Sequence, residues 1–111
     1  MLTGALTGPF GVMGGFMQPQ GHVQVVSAMV DDGLGPQAAL DRPRFCVDAR
    51  GVNVEEGFAG MDELRARGHE VRVVTGWERA MFGRGQIIVR AADGTLAGGS
   101  DTRADGCAMS G

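Results

Sequence analysis

An α+β fold is what this sequence predicts, on three grounds. Apolar residues recur at helical spacing between His22 and Val30. Short apolar runs bounded by glycines crowd the second half of the chain, as strands do. A helix–Gly-His–strand unit, Met61 to Val74, links the two kinds of pattern. At 111 residues, the whole span 1–111 reads as one domain or part of one.

The elements follow in order. Met1 to Gly8 is short and rich in Gly and Thr, and Leu2, Ala5 and Leu6 set no period. Pro9 to Met13 reads as a strand. It runs into Gly14-Gly15, a turn of bare backbone whose N–H groups can face one point with no side chain in the way. A helix is expected over 22–32: Val23, Val26, Met29 and Val30 share a face, Val25 broadens it, and Gly33 ends it. Leu34 to Asp41 is a second short helix, with Pro36 in its first turn and Pro43 as its stop. Arg44–Asp48 and Val52–Glu55 are strands of a hairpin, with Gly51 in the turn. Met61 to His69 is a surface helix with Met61 and Leu64 inward, an i,i+4 Glu63–Arg67 pair, and Gly68 as its C-cap. Val71–Val74 is a strand, Trp77 to Gly85 a loop or short turn, and Gln86–Arg90 a further strand. Asp93-Gly94 is a hairpin dipeptide leading into Thr95–Gly99, and the tail from Ser100 to Ala108 folds back onto the sheet.

Composition narrows the function classes. Hydrophobic residues make up 43% and charged residues 21%, ordinary for a soluble globular chain. Glycine, at 20 residues without a three-residue period, points to many tight turns. All ten basic residues are arginine, scattered from Arg42 to Arg103 and often beside an acid, and the net charge is −3. That pattern has no basic stripe with interleaved aromatics, so nucleic acid is not an expected partner. No apolar run approaches the ~18 residues of a membrane-spanning helix. Met1-Leu2-Thr3-Gly4-Ala5-Leu6 lacks a basic segment and is too short for a signal peptide, and the compartment is left open. Cys46 and Cys107 fit buried free thiols or a disulfide; without Cys-x-x-Cys spacing they do not suggest a metal pair.

No catalytic set is complete. Ser27 and Ser100 lack a nucleophile-elbow sequence. His22, near a helix start, reads as a hydrogen-bonded structural residue rather than a ligand, and His69, after a helix C-cap, as a dipole partner. Glu55 and Glu56, adjacent on a strand, point to opposite faces and so do not make an acid–base pair. Phe82-Gly83-Arg84-Gly85-Gln86 contains G-x-G but precedes a strand, which fits a tight turn rather than a dinucleotide loop. Asp101-x-Arg103-x-Asp105-Gly106 reads as an internal Asp–Arg pair that pins the tail, rather than a metal or anion site. Gly14-Gly15 reads either as a plain strand-to-helix turn or as an oxyanion site made of backbone N–H groups.

The order of the motifs adds to this reading. Gly11-Val12-Met13-Gly14-Gly15, Gln18-Pro19-Gln20-Gly21-His22-Val23-Gln24-Val25 and Gln37-Ala38-Ala39-Leu40-Asp41-x-Pro43-Arg44 are followed by Leu64-x-x-Arg67-Gly68-His69, Phe82-Gly83-Arg84-Gly85-Gln86-Ile87-Ile88 and Gly98-Gly99-Ser100-Asp101-x-Arg103-x-Asp105-Gly106. The series resembles the C-terminal part of the small subunit of gamma-glutamyltransferases (gamma-glutamyltranspeptidases), in the bacterial branch related to cephalosporin acylases. The resemblance implies the C-terminal portion of an N-terminal-nucleophile (Ntn) hydrolase, a four-layer αββα sandwich. It implies an acyl transferase or hydrolase that needs no cofactor or metal. There a precursor cuts itself, and the new N-terminal threonine of the small subunit attacks a gamma-glutamyl amide such as glutathione. The acyl group then passes to water, an amino acid or a peptide. The family's Gly-Gly supplies the oxyanion hole, and Gly14 and Gly15 match it.

The same resemblance implies missing parts. The nucleophilic threonine lies far upstream of the Gly pair in the family, followed by a histidine-containing motif; Thr3 and Thr7 are too close to Gly14 and lack that context. The Ser-Ser element for the substrate's α-carboxylate is also expected upstream, and the large subunit is separate. Met1 is therefore expected to mark an internal point of the family sequence, through a truncated gene, a fragment or a split protein. The implied partners are the upstream part of the small subunit, the large subunit and a small gamma-glutamyl substrate. An oxyanion hole stabilises a charge that only a nucleophile creates, so the chain alone is expected to be inactive. The alternatives are a non-catalytic stand-alone interaction or structural domain of the same descent, and a small-anion binder at the Gly pair. A piece of a sandwich exposes an apolar face and a sheet edge, so self-association is expected as well.

Overall fold

A computed structural model describes residues 8–109. Thr3, Thr7 and the Met1–Leu6 segment lie outside the described residues.

Two three-stranded sheets carry the fold. The first has the order β1–β5–β6 and is antiparallel throughout: β1 (Phe10–Met13) pairs with β5 (Arg84–Arg90), and β5 pairs with β6 (Leu96–Ser100). The second has the order β2–β3–β4: β2 (Phe45–Asp48) and β3 (Gly51–Glu55) form the expected hairpin, and β4 (Val71–Val74) runs parallel to β3. A parallel pair needs a crossover, and α3 (Met61–Ala66) provides it. Gly94 takes φ +87° in the β5–β6 turn, where a side chain would be strained. β5 starts at Arg84, ahead of the expected Gln86, because Gly85 and Arg84 continue the ladder to Val12 and Met13.

The helices differ from the expectation at their ends and in one buried face. α1 spans Gln18–Val30 and so begins before His22, with Pro19 in its first turn and a 3-10 turn, Gly15–Met17, ahead of it. Its buried residues are Gly21, Val25 and Ala28, whereas Val23 and Val30 are exposed. The face is rotated because the helix lies close to β1. A Cβ on Gly21 would sit 3.0 Å from Val12 Cγ1. Gly21 and Ala28 flank Val25 on that near side, so small residues let the helix approach. α2 is Pro36–Asp41, leaving Leu34 and Gly35 outside it. α3 stops at Ala66 instead of His69 and buries no residue fully; Met61 and Leu64 are half-buried. The expected loop from Trp77 is a 3-10 helix, Gly76–Phe82.

Among the described residues, two apolar clusters fill the interior. Val12, Val25, Leu40 and Ile87 join β1 and β5 to α1 and α2. Met17, Cys46, Val74 and Phe82 join the head of α1 to the second sheet. Cys46 is a buried free thiol, but Cys107 is free and exposed, which corrects both the disulfide and the expectation that both thiols are buried.

Side chains from the helices take the place of missing strands along several sheet edges. The Gln24 amide donates to Phe45 O (2.8 Å) and accepts from Phe45 N (2.9 Å). Gln20 does the same at Val47, at 3.0 and 2.8 Å. Gln37 does so at Ser100 on β6, at 2.8 and 3.0 Å. Each amide satisfies one backbone donor and one acceptor that an edge strand would otherwise leave open.

Candidate active-site segment: a Gly-Gly turn held by a buried charge network

The Gly14-Gly15 turn joins β1 to the head of α1. The β1–β5 register ends at Met13–Arg84, so neither glycine belongs to the ladder. Gly14 O accepts from Met17 N at 3.1 Å, closing the 3-10 turn. Among the described residues, no acceptor takes the N–H of Gly14 or Gly15. These groups stand at a helix head, where backbone donors and the helix dipole favour negative charge. Gly15 has φ +60° and is exposed, and a Cβ there would meet nothing within 4 Å, so the outer side of the turn is open. Gly14 is glycine for another reason: a Cβ on it would sit 3.1 Å from Gly83 Cα. The clefts next to Phe58, Met109 and Arg72 do not include the turn.

His22 fixes the turn from behind. Its Nε2 accepts from Val12 N at 3.2 Å, and Nδ1 lies 2.7 Å from Gln18 O. Both bonds require the neutral tautomer with the proton on Nδ1, since Val12 N–H can only donate. Phe10 packs against the ring at 5.5 Å. The structural reading of His22 therefore holds. His69 lies beyond the helix end, with its N–H on Leu64 O at 3.1 Å.

Behind Gly83 lies a network that the sequence reading found only at one corner. Asp101 and Arg103 pair at 2.9 Å, as expected. They are joined by Arg44, Glu55 and Arg79. Arg44 is buried; its Nη2 bonds Asp101 Oδ2 at 2.9 Å, and its Nη1 donates to Phe82 O (3.0 Å) and Gly83 O (3.1 Å). Asp101 Oδ2 also accepts from Gly85 N at 2.8 Å. Glu55 accepts from Arg44 N (2.7 Å), from Arg79 Nε and Arg103 Nε (2.8 Å each), and from Arg103 Nη2. Burial pushes both carboxyl groups up. For Glu55, the bonds from Arg103 and Arg79 outweigh burial; for Asp101, the Arg103 N–H and the Arg44 charge do. Both therefore sit below the usual carboxylate range. Burial, then the nearby Arg103, lowers Arg44. Glu55 is thus committed to structure, and Glu56 is exposed, so the two do not act as a pair. No group of three or more His, Cys, Asp or Glu among the described residues is arranged to hold a metal.

The network reaches the turn through Gly83. Gly83 has φ +83°, and a Cβ there would lie 2.6 Å from Met13 O and 2.7 Å from Val12 Cγ1. Arg44 thus grips the Phe82–Gly83 carbonyls on one side while Met13 and Gly14 press on the other. The G-x-G of residues 83–85 is a packing device, in line with its reading as a tight turn.

Comparison with solved structures gives the class. The chain superimposes on a cephalosporin acylase from Bacillus halodurans with a TM-score of 0.81 at 50% identity, covering 93% of this chain and 20% of that one. It matches a gamma-glutamyltranspeptidase from Pseudomonas nitroreducens, solved with L-DON, with a TM-score of 0.81 at 22% identity, covering 99% of this chain and 58% of that one. The fold is that of a portion of an Ntn-hydrolase sandwich. The gamma-glutamyltranspeptidase family model matches residues 1–111, and the chain belongs to that family. Among curated relatives, it is 33% identical over 108 residues to the glutathione hydrolase-like YwrD proenzyme of Bacillus subtilis, and 32% identical over 107 residues to the oxamate amidohydrolase proenzyme of Klebsiella pneumoniae. These alignments take in 90% and 89% of this chain, which spans 20% of the length of each relative.

Proposed function

We propose that this chain supplies the oxyanion hole of a gamma-glutamyltranspeptidase-type acyl transferase or hydrolase. In this reading the N–H groups of Gly14 and Gly15 receive the carbonyl oxygen of a gamma-glutamyl amide such as glutathione as it becomes an oxyanion. The threonine nucleophile comes from the upstream part of the small subunit, and the large subunit completes the enzyme. The observation that carries the proposal is the pair of backbone donors at the head of α1 that have no acceptor among the described residues. The relatives' names support the chemistry, because a glutathione hydrolase-like protein, an amidohydrolase and an acylase share attack on an acyl carbon. Such a hole contributes by offering preorganised donors where charge develops.

Two experiments test this. Replacing the Gly15 N–H by an ester oxygen, in chain reassembled with its upstream and large-subunit parts, removes one donor and keeps the glycine backbone. The expected outcome is a fall in kcat of ~10²-fold or more with little change in KM; an unchanged kcat rejects the hole. The 111-residue chain alone is expected to show no turnover of a gamma-glutamyl anilide, and measurable release of the aniline overturns that expectation.

A further inference from the structure

β4 is the edge strand to which, among the described residues, no element other than its ladder partner β3 hydrogen bonds. β1 has His22 on Val12, β2 has Gln20 and Gln24, and β6 has Gln37 on Ser100. The ladder to β3 determines which β4 groups are free. Val52 N donates to Glu70 O at 2.8 Å, and Val52 is the register partner of Val71. In a parallel pair this geometry turns the backbone of Glu70 and Arg72 toward β3 and that of Val71 and Val73 outward. The outward groups are N–H and C=O pairs that can take another strand.

The side chains say which strand fits. Glu70 and Arg72 are two apart, so they share one face of the sheet, and both are exposed. Glu70 has no described side-chain partner. Arg72 reaches Asn53 Oδ1 at 3.1 Å and stands 3.8 Å from Glu78. Suppose a second β4 lies antiparallel with Val71 opposite its own copy. Val71 then exchanges both backbone bonds with its counterpart. Each Glu70 falls opposite the Arg72 of the other copy, on both sides of the two-fold axis and in the closely spaced, non-hydrogen-bonded position. Centring the axis on Arg72 instead would set two arginines face to face, which is unfavourable.

We propose that β4 is a self-pairing edge, through which two copies of this chain join antiparallel about Val71 with reciprocal Glu70–Arg72 ion pairs. The joining segment is short, so the dimer is weak, with a dissociation constant on the order of 0.1 mM.

Sedimentation equilibrium of the full chain up to ~1 mM reads this directly, with the mass rising from 11.5 kDa toward twice that value. Glu70→Arg and Arg72→Glu each place like charges opposite one another and are expected to weaken pairing about tenfold or more. The double exchange, Glu70→Arg with Arg72→Glu, restores complementarity and is expected to return to within about threefold of the original. Glu70→Arg removes no contact described within one copy, so it separates pairing from folding. A chain that stays monomeric at the highest concentration overturns the proposal. So does a dimer indifferent to Glu70→Arg, as one built on the exposed Ile88 and Leu96 face would be. Failure of the double exchange to restore pairing overturns it too.

Discussion

Asp101 is a fully buried charge, and what stabilises it is the completeness of its bonding. Its two oxygens accept from Arg44, from the N–H groups of Gly85 and Arg103, and from the Arg103 guanidinium. Removing one member of such a group leaves the others buried and uncompensated. Asp101→Asn and Glu55→Gln are each expected to cost ~3–5 kcal/mol in urea unfolding. Glu63→Ala, whose partner Arg67 is as exposed as itself at 69%, is expected to cost under ~0.5 kcal/mol. Acidity gives a second test. Glu55 and Asp101 are held below their ordinary range in the folded chain. Their contribution is therefore complete above the unfolded carboxylate value of ~4 and is lost as pH falls through the lower, folded values. The urea midpoint is expected to be flat from neutral pH toward ~4 and to drop below it, with a shallower drop in Glu55→Gln. The sequence showed the Asp101–Arg103 corner because the two residues are near neighbours. It did not show Arg44, Glu55 and Arg79, because membership depends on how the chain returns across distances with no period, Arg44 and Asp101 being 57 positions apart.

The elements themselves were largely legible. Gly68 and Gly94 marked turns whose positive φ the structure carries, Gly51, expected in the turn, instead opens β3 at φ +136°, and the expected β2–β3 and β5–β6 hairpins both form. The buried face of α1 was misplaced because hydrophobicity ranks Val23 above Gly21. Close approach to β1 selects for small size instead, and only the packing reveals that. The glutamines of α1 carry no signal of their role in the sequence; the structure makes Gln20 and Gln24 stand-in strand partners. Gln24→Leu keeps the volume but leaves Phe45 N–H and C=O unpaired. It is expected to cost ~1–3 kcal/mol, with faster hydrogen exchange at Phe45 than at Val47, where Gln20 still binds. Gly83→Ala is expected to cost ~1–3 kcal/mol through its backbone conformation, and more through its contact with Met13. The Gly14 and Gly15 amide resonances should move with it, because Gly83 is the surface against which Gly14 rests.

At the scale of the molecule, two small sheets share one polar centre. Arg44 enters β2, Glu55 ends β3, Arg79 lies in the 3-10 helix, and Asp101 and Arg103 follow β6. Large apolar side chains also stand in solvent, among them Phe16 (68% exposed), Trp77 (89%) and Leu96 (65%). Removing residues 101–111 takes away one carboxylate and one guanidinium of the centre. That variant is expected to lose cooperative unfolding, read by near-ultraviolet circular dichroism and urea titration, while Asp105→Ala, at an exposed position, is expected to keep it. The same arrangement imposes a schedule on synthesis. A ribosome adding ~5–20 residues each second delivers Asp101 about 3–11 s after Arg44, given their separation of 57 positions. For those seconds Arg44 and Glu55 can enter the interior only as charges without their full set of partners, a state burial disfavours. The second sheet therefore waits, hydrated and unlocked, until the tail emerges to close it, and the Gly14-Gly15 turn acquires its final backing at that same late moment.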